Sequence, residues 1–133
     1  YLIINRRAPL TYQRQLAWVI YKKLDINKVK LAATSFEGKH DFNAFRSIDC
    51  QSSISVKTID YCSVVNDHES ITILVAAKSF LHSQVRIIVG TLANVGEGKI
   101  QPSDIQQIIE MKDRDKAGVT APAHGLYLKE VIY

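Results

Sequence analysis

The stretch FLHSQVRIIVGTLANVGEGK, Phe80 to Lys99, decides how this chain folds. Val85, Ile88, Val89, Leu92 and Val95 recur at spacings of three and four, which places them on one face of an α-helix. Gly96 and Gly98 close that helix, because glycine enters the left-handed conformations of helix ends at little cost. Before it, Val56 to Val65 and Ile71 to Lys78 read as two strands, and Asn66, Asp67 and His68 between them supply hairpin chemistry. A helix with one apolar face that follows a hairpin must lay that face on the sheet.

Working outward, Pro102 suits the first turn of a further helix, where its missing N–H costs nothing. Ser103 and Asp104 favour that N-terminus, and Ile105, Ile108 and Ile109 line its buried side. Beyond Pro122, the alternation in Leu126 to Tyr133 predicts a last strand. Towards the start, Asp25 is a good N-cap for a helix carrying Ile26, Val29, Ala33 and Phe36, and Gly38 sits where a C-cap glycine is expected. Phe42 and Phe45 are spaced to share one side of a helical turn and to pack in the core. Tyr1 to Asn5 reads as a strand and Asn5 to Arg14, with Pro9, as a loop, while the apolar stretch Ala17 to Ile20 takes no clear assignment. The whole predicts one α+β domain over 1–133: a largely antiparallel sheet with helices packed on one face.

Composition narrows the function classes without choosing one. The chain has 133 residues, 47% of them hydrophobic, which suffices for a real core and matches soluble globular proteins. No apolar run is long enough to cross a bilayer, and Tyr1 leads straight into a strand-like run, so neither a membrane partner nor a signal peptide is expected. Cys50 and Cys62 form no CxxC pair, and two reduced thiols in a cytoplasmic protein are expected. The net charge of +4 is compatible with a polyanionic partner without requiring one.

Three tempting motifs fail on their spacing. ANVGEGKI lacks the first glycine and the final Ser or Thr of a phosphate loop, and it leaves a helix where such a loop leaves a strand. His40, His68, His82 and His124 have no metal-ligand spacing among themselves or with the cysteines, so no metal site is expected. No nucleophile-elbow pattern accompanies any serine.

Four strings taken in order carry more weight. They are the opening Tyr1–Asn5 run with Pro9 downstream; GKHDFNAFR, Gly38 to Arg46, followed by Cys50 and Gln51; Phe80 to Lys99; and DRDKAGVTAPAHGLYL, Asp113 to Leu128. Their order and spacing resemble the carboxyl-terminal part of the type A transfer-RNA pseudouridine synthases. The resemblance covers essentially the whole chain and implies an isomerase that converts uridine to pseudouridine in the anticodon stem-loop, with no metal or organic cofactor. It implies transfer RNA as partner, a homodimer, and a nucleophilic aspartate in an Arg-Thr-Asp-Ala-Gly-Val motif of the amino-terminal half. That motif is absent from 1–133. Asp115-Lys116-Ala117-Gly118-Val119 is a lookalike without the preceding Arg-Thr. The chain is therefore expected to supply part of an active site and to be inactive alone.

The resemblance also assigns roles. Arg86 matches the family arginine that approaches the catalytic carboxylate, and a guanidinium there keeps an aspartate ionised and aimed. Tyr1 matches a strand tyrosine that stacks on the target base, as aromatic rings do with flipped bases. Ile88 and Val89 fall in the apolar segment after the arginine and offer a wall against water, or ordinary helix packing. Ile87 stands where many relatives have asparagine. Arg46 would contact a phosphate or hold the loop with Cys50 and Gln51, and His124, Gly125 and Leu126 would set the entry to the last strand, near the site. Lys22, Lys23, Lys28 and Lys30 form either a phosphate-contacting face or a solvated one. The alternative reading is an RNA-binding or structural domain that kept the fold without catalysis.

Overall fold

A computed structural model of the chain describes residues 1–6, 16–48 and 53–130. Five strands form one sheet: β1 (Leu2–Asn5), β2 (Trp18–Ile20), β3 (Gly38–Asp41), β4 (Val56–Asp67) and β5 (Ser70–Ala77). Their spatial order is β2-β1-β5-β4-β3. Every pairing is antiparallel except β1 with β2, so the unassigned run Ala17 to Ile20 becomes a parallel edge strand. Three helices, α1 (Ile26–Thr34), α2 (Gln84–Gly96) and α3 (Ile105–Met111), share one core with Ile3, Ile59, Cys62, Ile71 and Ile73 of the sheet. The expected α+β layering is what forms.

The β4–β5 hairpin turns at His68, whose φ of 54° is a left-handed value that histidine adopts more readily than branched residues. A register shift between Ile59 and Tyr61 makes Asp60 an extra residue in β4. Without it, strict alternation would turn Cys62 and Val64 away from the core that Ile59 enters. With it, Ile59 and Cys62 are both buried on the helix side.

The carboxylate of Asp25 accepts from the Lys28 N–H, capping α1 as its sequence predicts. The other end differs from expectation. The helix stops at Ser35, whose N–H reaches the carbonyls of Ala32 and Ala33. Gly38, at φ 96°, instead opens β3, an edge strand too polar and short to show alternation. Phe36, Phe42 and Phe45 fill the core here as edge-to-face pairs with centroids 5.2 and 6.2 Å apart.

Helix α2 is buried on more than the one face its periodicity marks. Seven consecutive residues, Ile87 to Ala93, are all inaccessible to solvent. Helix α1 and the core shared with the sheet cover one side, and the segment 117–121 packs against Gly90 and Thr91. Gly90 lies so close to the Val119 carbonyl, and Gly118 to the Thr91 backbone, that neither position has room for a Cβ.

The last strand is a correction. Residues 126–130 join no strand, and Leu128 is 83% exposed. Alternation alone does not make a strand; the segment also needs an edge whose N–H and C=O groups it can pair. Here the Tyr127 hydroxyl reaches the Leu16 carbonyl at 2.5 Å instead. The loop expected from Asn5 to Arg14, and Cys50 with Gln51, fall mostly or wholly outside the described residues.

Candidate functional site

Tyr1 continues the β1 ladder by one residue, since its amino group donates to the Ile73 carbonyl at 2.8 Å and the Ile73 N–H donates back at 2.9 Å. Its side chain is 6% exposed. The indole of Trp18, brought alongside by the parallel β1–β2 pairing, meets the phenol edge-to-face at 6.3 Å. The Tyr1 hydroxyl donates to the Pro122 carbonyl. Burial pushes this hydroxyl above its ordinary pKa, and the positive charge of Arg86 pulls back only part of the rise. The phenol is thus a neutral donor throughout the physiological range.

Arg86 is the third residue of α2 and half-buried. Its Nε donates to the Ala121 carbonyl at 2.7 Å, while the Ala121 N–H donates to the Arg86 carbonyl at 3.0 Å. This reciprocal pair fixes the guanidinium by one nitrogen. Nη1 and Nη2 have no hydrogen-bond partner among the described residues. They form a forked donor pair whose geometry fits a carboxylate.

The segment that holds both side chains is stapled along α2. Arg114 donates from Nη1 to the Gly118 carbonyl at 2.8 Å and from Nη2 to the Thr120 hydroxyl at 3.0 Å. The Gly118 N–H donates to the Thr91 hydroxyl at 2.9 Å, and that hydroxyl donates to the Ile87 carbonyl at 2.8 Å. A 3-10 turn over Ala123–Gly125 then brings Gly125 against the Tyr1 ring. His124 Nε2 lies 3.0 Å from the Ala17 carbonyl, so its proton sits on that nitrogen. Consecutive carbonyls, of Ala121 and Pro122, therefore orient the arginine and the tyrosine.

Of the residues singled out from sequence, Tyr1, Arg86 and the His124–Gly125 turn come together. Ile88 and Val89 are fully buried in the same core cluster as Tyr1 and back the site without lining open space. Arg46 follows the 3-10 turn Asn43–Phe45 and is half-buried; its neighbour Ser47 donates to the His82 carbonyl at 3.0 Å, just ahead of α2. Lys22, Lys23 and Lys30 are exposed, and Lys28 is half-buried. Sequence reading missed Trp18, the sole tryptophan, and the two backbone acceptors. Two concavities lie elsewhere, one lined by Asn5, Arg6, Tyr21 and Lys23, the other by Asn94, Arg114 and Asp115, and neither includes Tyr1 or Arg86. No group of three metal-ligating side chains occurs among the described residues.

The family model for tRNA pseudouridine synthase matches residues 32–133. Over all 133 residues the chain is 47% identical to a protein of Anaplasma phagocytophilum (strain HZ), and 45% to one of Ehrlichia chaffeensis (strain ATCC CRL-10679 / Arkansas). It is 47% identical over the same length to one of Methylocella silvestris (strain DSM 15510). Each of these is named tRNA pseudouridine synthase A, and in each case the chain spans 54% of the relative's length.

Proposed function

The chain belongs to the tRNA pseudouridine synthase family, and from that premise we propose that it supplies one wall of an active site that isomerises uridine in the anticodon stem-loop of tRNA. In this reading the nucleophilic aspartate comes from an amino-terminal half. It attacks the nucleotide, the glycosidic bond breaks, the base turns, and its C5 is joined to the sugar. The product is an isomer, so the proton lost from C5 is matched by one gained at N1.

The Nη fork of Arg86, without a hydrogen-bond partner among the described residues, carries the proposal. A guanidinium within reach of a carboxylate favours its charged form and sets its direction. Because Nε is already committed to Ala121, the fork is oriented before any carboxylate arrives, and such preorganised charge is the larger part of most catalysis. Tyr1 is the proposed aromatic contact of the flipped base; it is 6% exposed and its hydroxyl is satisfied by Pro122, so the base meets only the part of the ring that Trp18 and Gly125 leave uncovered. Ile88 and Val89 keep water from behind it. Arg46 and the exposed lysines are assigned to phosphates, the enzyme works as a cytoplasmic homodimer, and no metal or organic cofactor takes part.

The test compares this chain with the full-length product of its gene on unmodified tRNA, and adds Arg86→Ala and Arg86→Lys to the longer protein. The longer protein forms pseudouridine and this chain does not. Arg86→Ala lowers kcat by about 100-fold or more, the scale of losing one preorganised charge contact. Lysine, which cannot present the fork, restores little. An unchanged kcat in Arg86→Ala would refute the assignment. Tight, salt-sensitive tRNA binding by a full-length protein without turnover would favour an RNA-binding domain instead.

A further inference from the structure

Gly125 is buried against the ring of Tyr1. A Cβ added there would lie 2.6 Å from Tyr1 Cζ, 2.7 Å from Cε1 and 2.9 Å from the hydroxyl oxygen. Atoms in ordinary contact sit about 3.5 Å apart or more, so the phenol would have to retreat by nearly 1 Å. The backbone itself does not demand glycine. Positive φ values among the glycines belong to Gly38 and Gly98, and Gly125 has none. What glycine provides at 125 is room for the ring.

The ring has little freedom to retreat. Its backbone is held in the ladder to Ile73 from both sides, its hydroxyl is bound to Pro122, and Trp18 closes another flank. The turn that contains Gly125 is itself tied down, by the Leu126 N–H to the Ala123 carbonyl at 3.0 Å and by His124 to Ala17. Four residues before Gly125 turns against the ring, the same segment has already bound Arg86 through Ala121.

We propose that Ala121–Gly125 is a positioning element for the reaction, with Gly125 the positioning residue that sets the plane and depth of the Tyr1 ring relative to the Arg86 fork. The inference rests on the reading of Tyr1 and Arg86 as site residues. Chemistry in such sites is sensitive to displacement on this scale: a misplacement of about 1 Å costs on the order of 100-fold.

The experiment uses the full-length protein. Gly125→Ala is expected to lower kcat for pseudouridine formation by about 10- to 100-fold, with KM for tRNA within about twofold, because the substrate still binds and only the ring is displaced. Removing the ring should remove the effect. In a Tyr1→Ala background, Gly125→Ala costs no further kcat and shifts Tm less than it does alone, whereas a defect confined to the turn would add its full cost in both backgrounds. The Tm arm of the cycle stays readable even where Tyr1→Ala leaves too little activity to follow. Wild-type kcat in Gly125→Ala, or equal Tm losses in the two backgrounds, would overturn the proposal. If Arg86→Ala and Tyr1→Ala both leave kcat unchanged, the functional reading has failed; if they lower it and Gly125→Ala does not, the positioning role alone has failed.

Discussion

Replacing Gly90 by alanine gives a prediction whose sign separates two physical arguments. Gly90 lies inside α2 with an ordinary helical backbone, so helix propensity alone makes Gly90→Ala stabilising by about 1 kcal/mol. The structure predicts the reverse. The new Cβ would fall 1.6 Å from the Val119 carbonyl oxygen and 2.6 Å from its carbon, both main-chain atoms that no rotamer change can move. Relief requires the 117–121 segment to back away from the helix by more than 1 Å, in an interior packed to crystal density. That motion breaks Gly118 N–H to Thr91, Ala121 N–H to Arg86 O, and Arg86 Nε to Ala121 O, now 2.9, 3.0 and 2.7 Å. At about 1 kcal/mol net apiece the loss is about 3 kcal/mol, which outweighs the propensity gain and leaves about 2 kcal/mol of destabilisation. Urea denaturation of the chain reads this as a lower midpoint at unchanged slope. Native-state hydrogen exchange at the Gly118 and Ala121 amides should accelerate more than exchange within β4 and β5. A variant as stable as the parent, or more so, would refute the close-packing argument.

Two further outcomes follow from titrating groups. Burial, with help from the Glu37 charge, pushes the Cys62 thiol up to about 12. A raised acid pKa means that its contribution to stability is complete below the ordinary value of 9.0 and declines as pH rises from there towards the folded value. In a Cys50→Ser background the native thiol should therefore stay inert to a disulfide reagent at pH 8 and react on addition of urea; rapid native labelling contradicts its burial. Asp41 is shifted the other way, held below 3.8 first by the Ser55 hydroxyl at 2.6 Å, with the Asn43 N–H and Lys112 assisting against a desolvation cost. Its stabilisation is present above the ordinary carboxylate pKa and is lost as pH falls through the folded value. Ser55→Ala should cost about 1 kcal/mol at pH 7 and progressively less as pH falls below 3.8 through the folded value, read as urea midpoints, and a cost that does not change over an acid titration counts against the pairing.

What the sequence discloses depends on which atoms carry the information. Periodic apolar side chains marked α2, and the Asp25 cap marked α1, because side-chain identity decides both. The hairpin showed itself through its turn residues, but the slip at Asp60 did not, since a bulge is a pairing event with no residue preference strong enough to read. Gly38 looked like a helix cap because the need for positive φ does not say which element imposes it. Arg86 stood out through family resemblance, whereas the groups that orient it and Tyr1 are the carbonyls of Ala121 and Pro122, which every residue possesses. The glycines at 90 and 118, where no Cβ fits, were the available sign of a backbone passing close to the helix, and the sequence reading did not draw on it.

The case for Arg86 as the functional cation rests on how cations are committed elsewhere in the chain. Arg114 donates through Nη1 and Nη2 to Gly118 and Thr120, and that commitment shapes the segment it belongs to. Lys99 and Lys112 lie near Glu97 and Asp41, and Lys57 reaches the Ser79 hydroxyl. Arg86 gives one of its five N–H donors to a main-chain carbonyl and keeps the terminal fork. A half-buried guanidinium used in this way gains little for stability from its charge, because one neutral acceptor offsets only part of its lost hydration. What that arrangement does provide is direction. The charge is aimed by a segment that is itself fixed to α2 by backbone contacts too close to admit a side chain, so an incoming carboxylate meets a fork whose orientation it need not create.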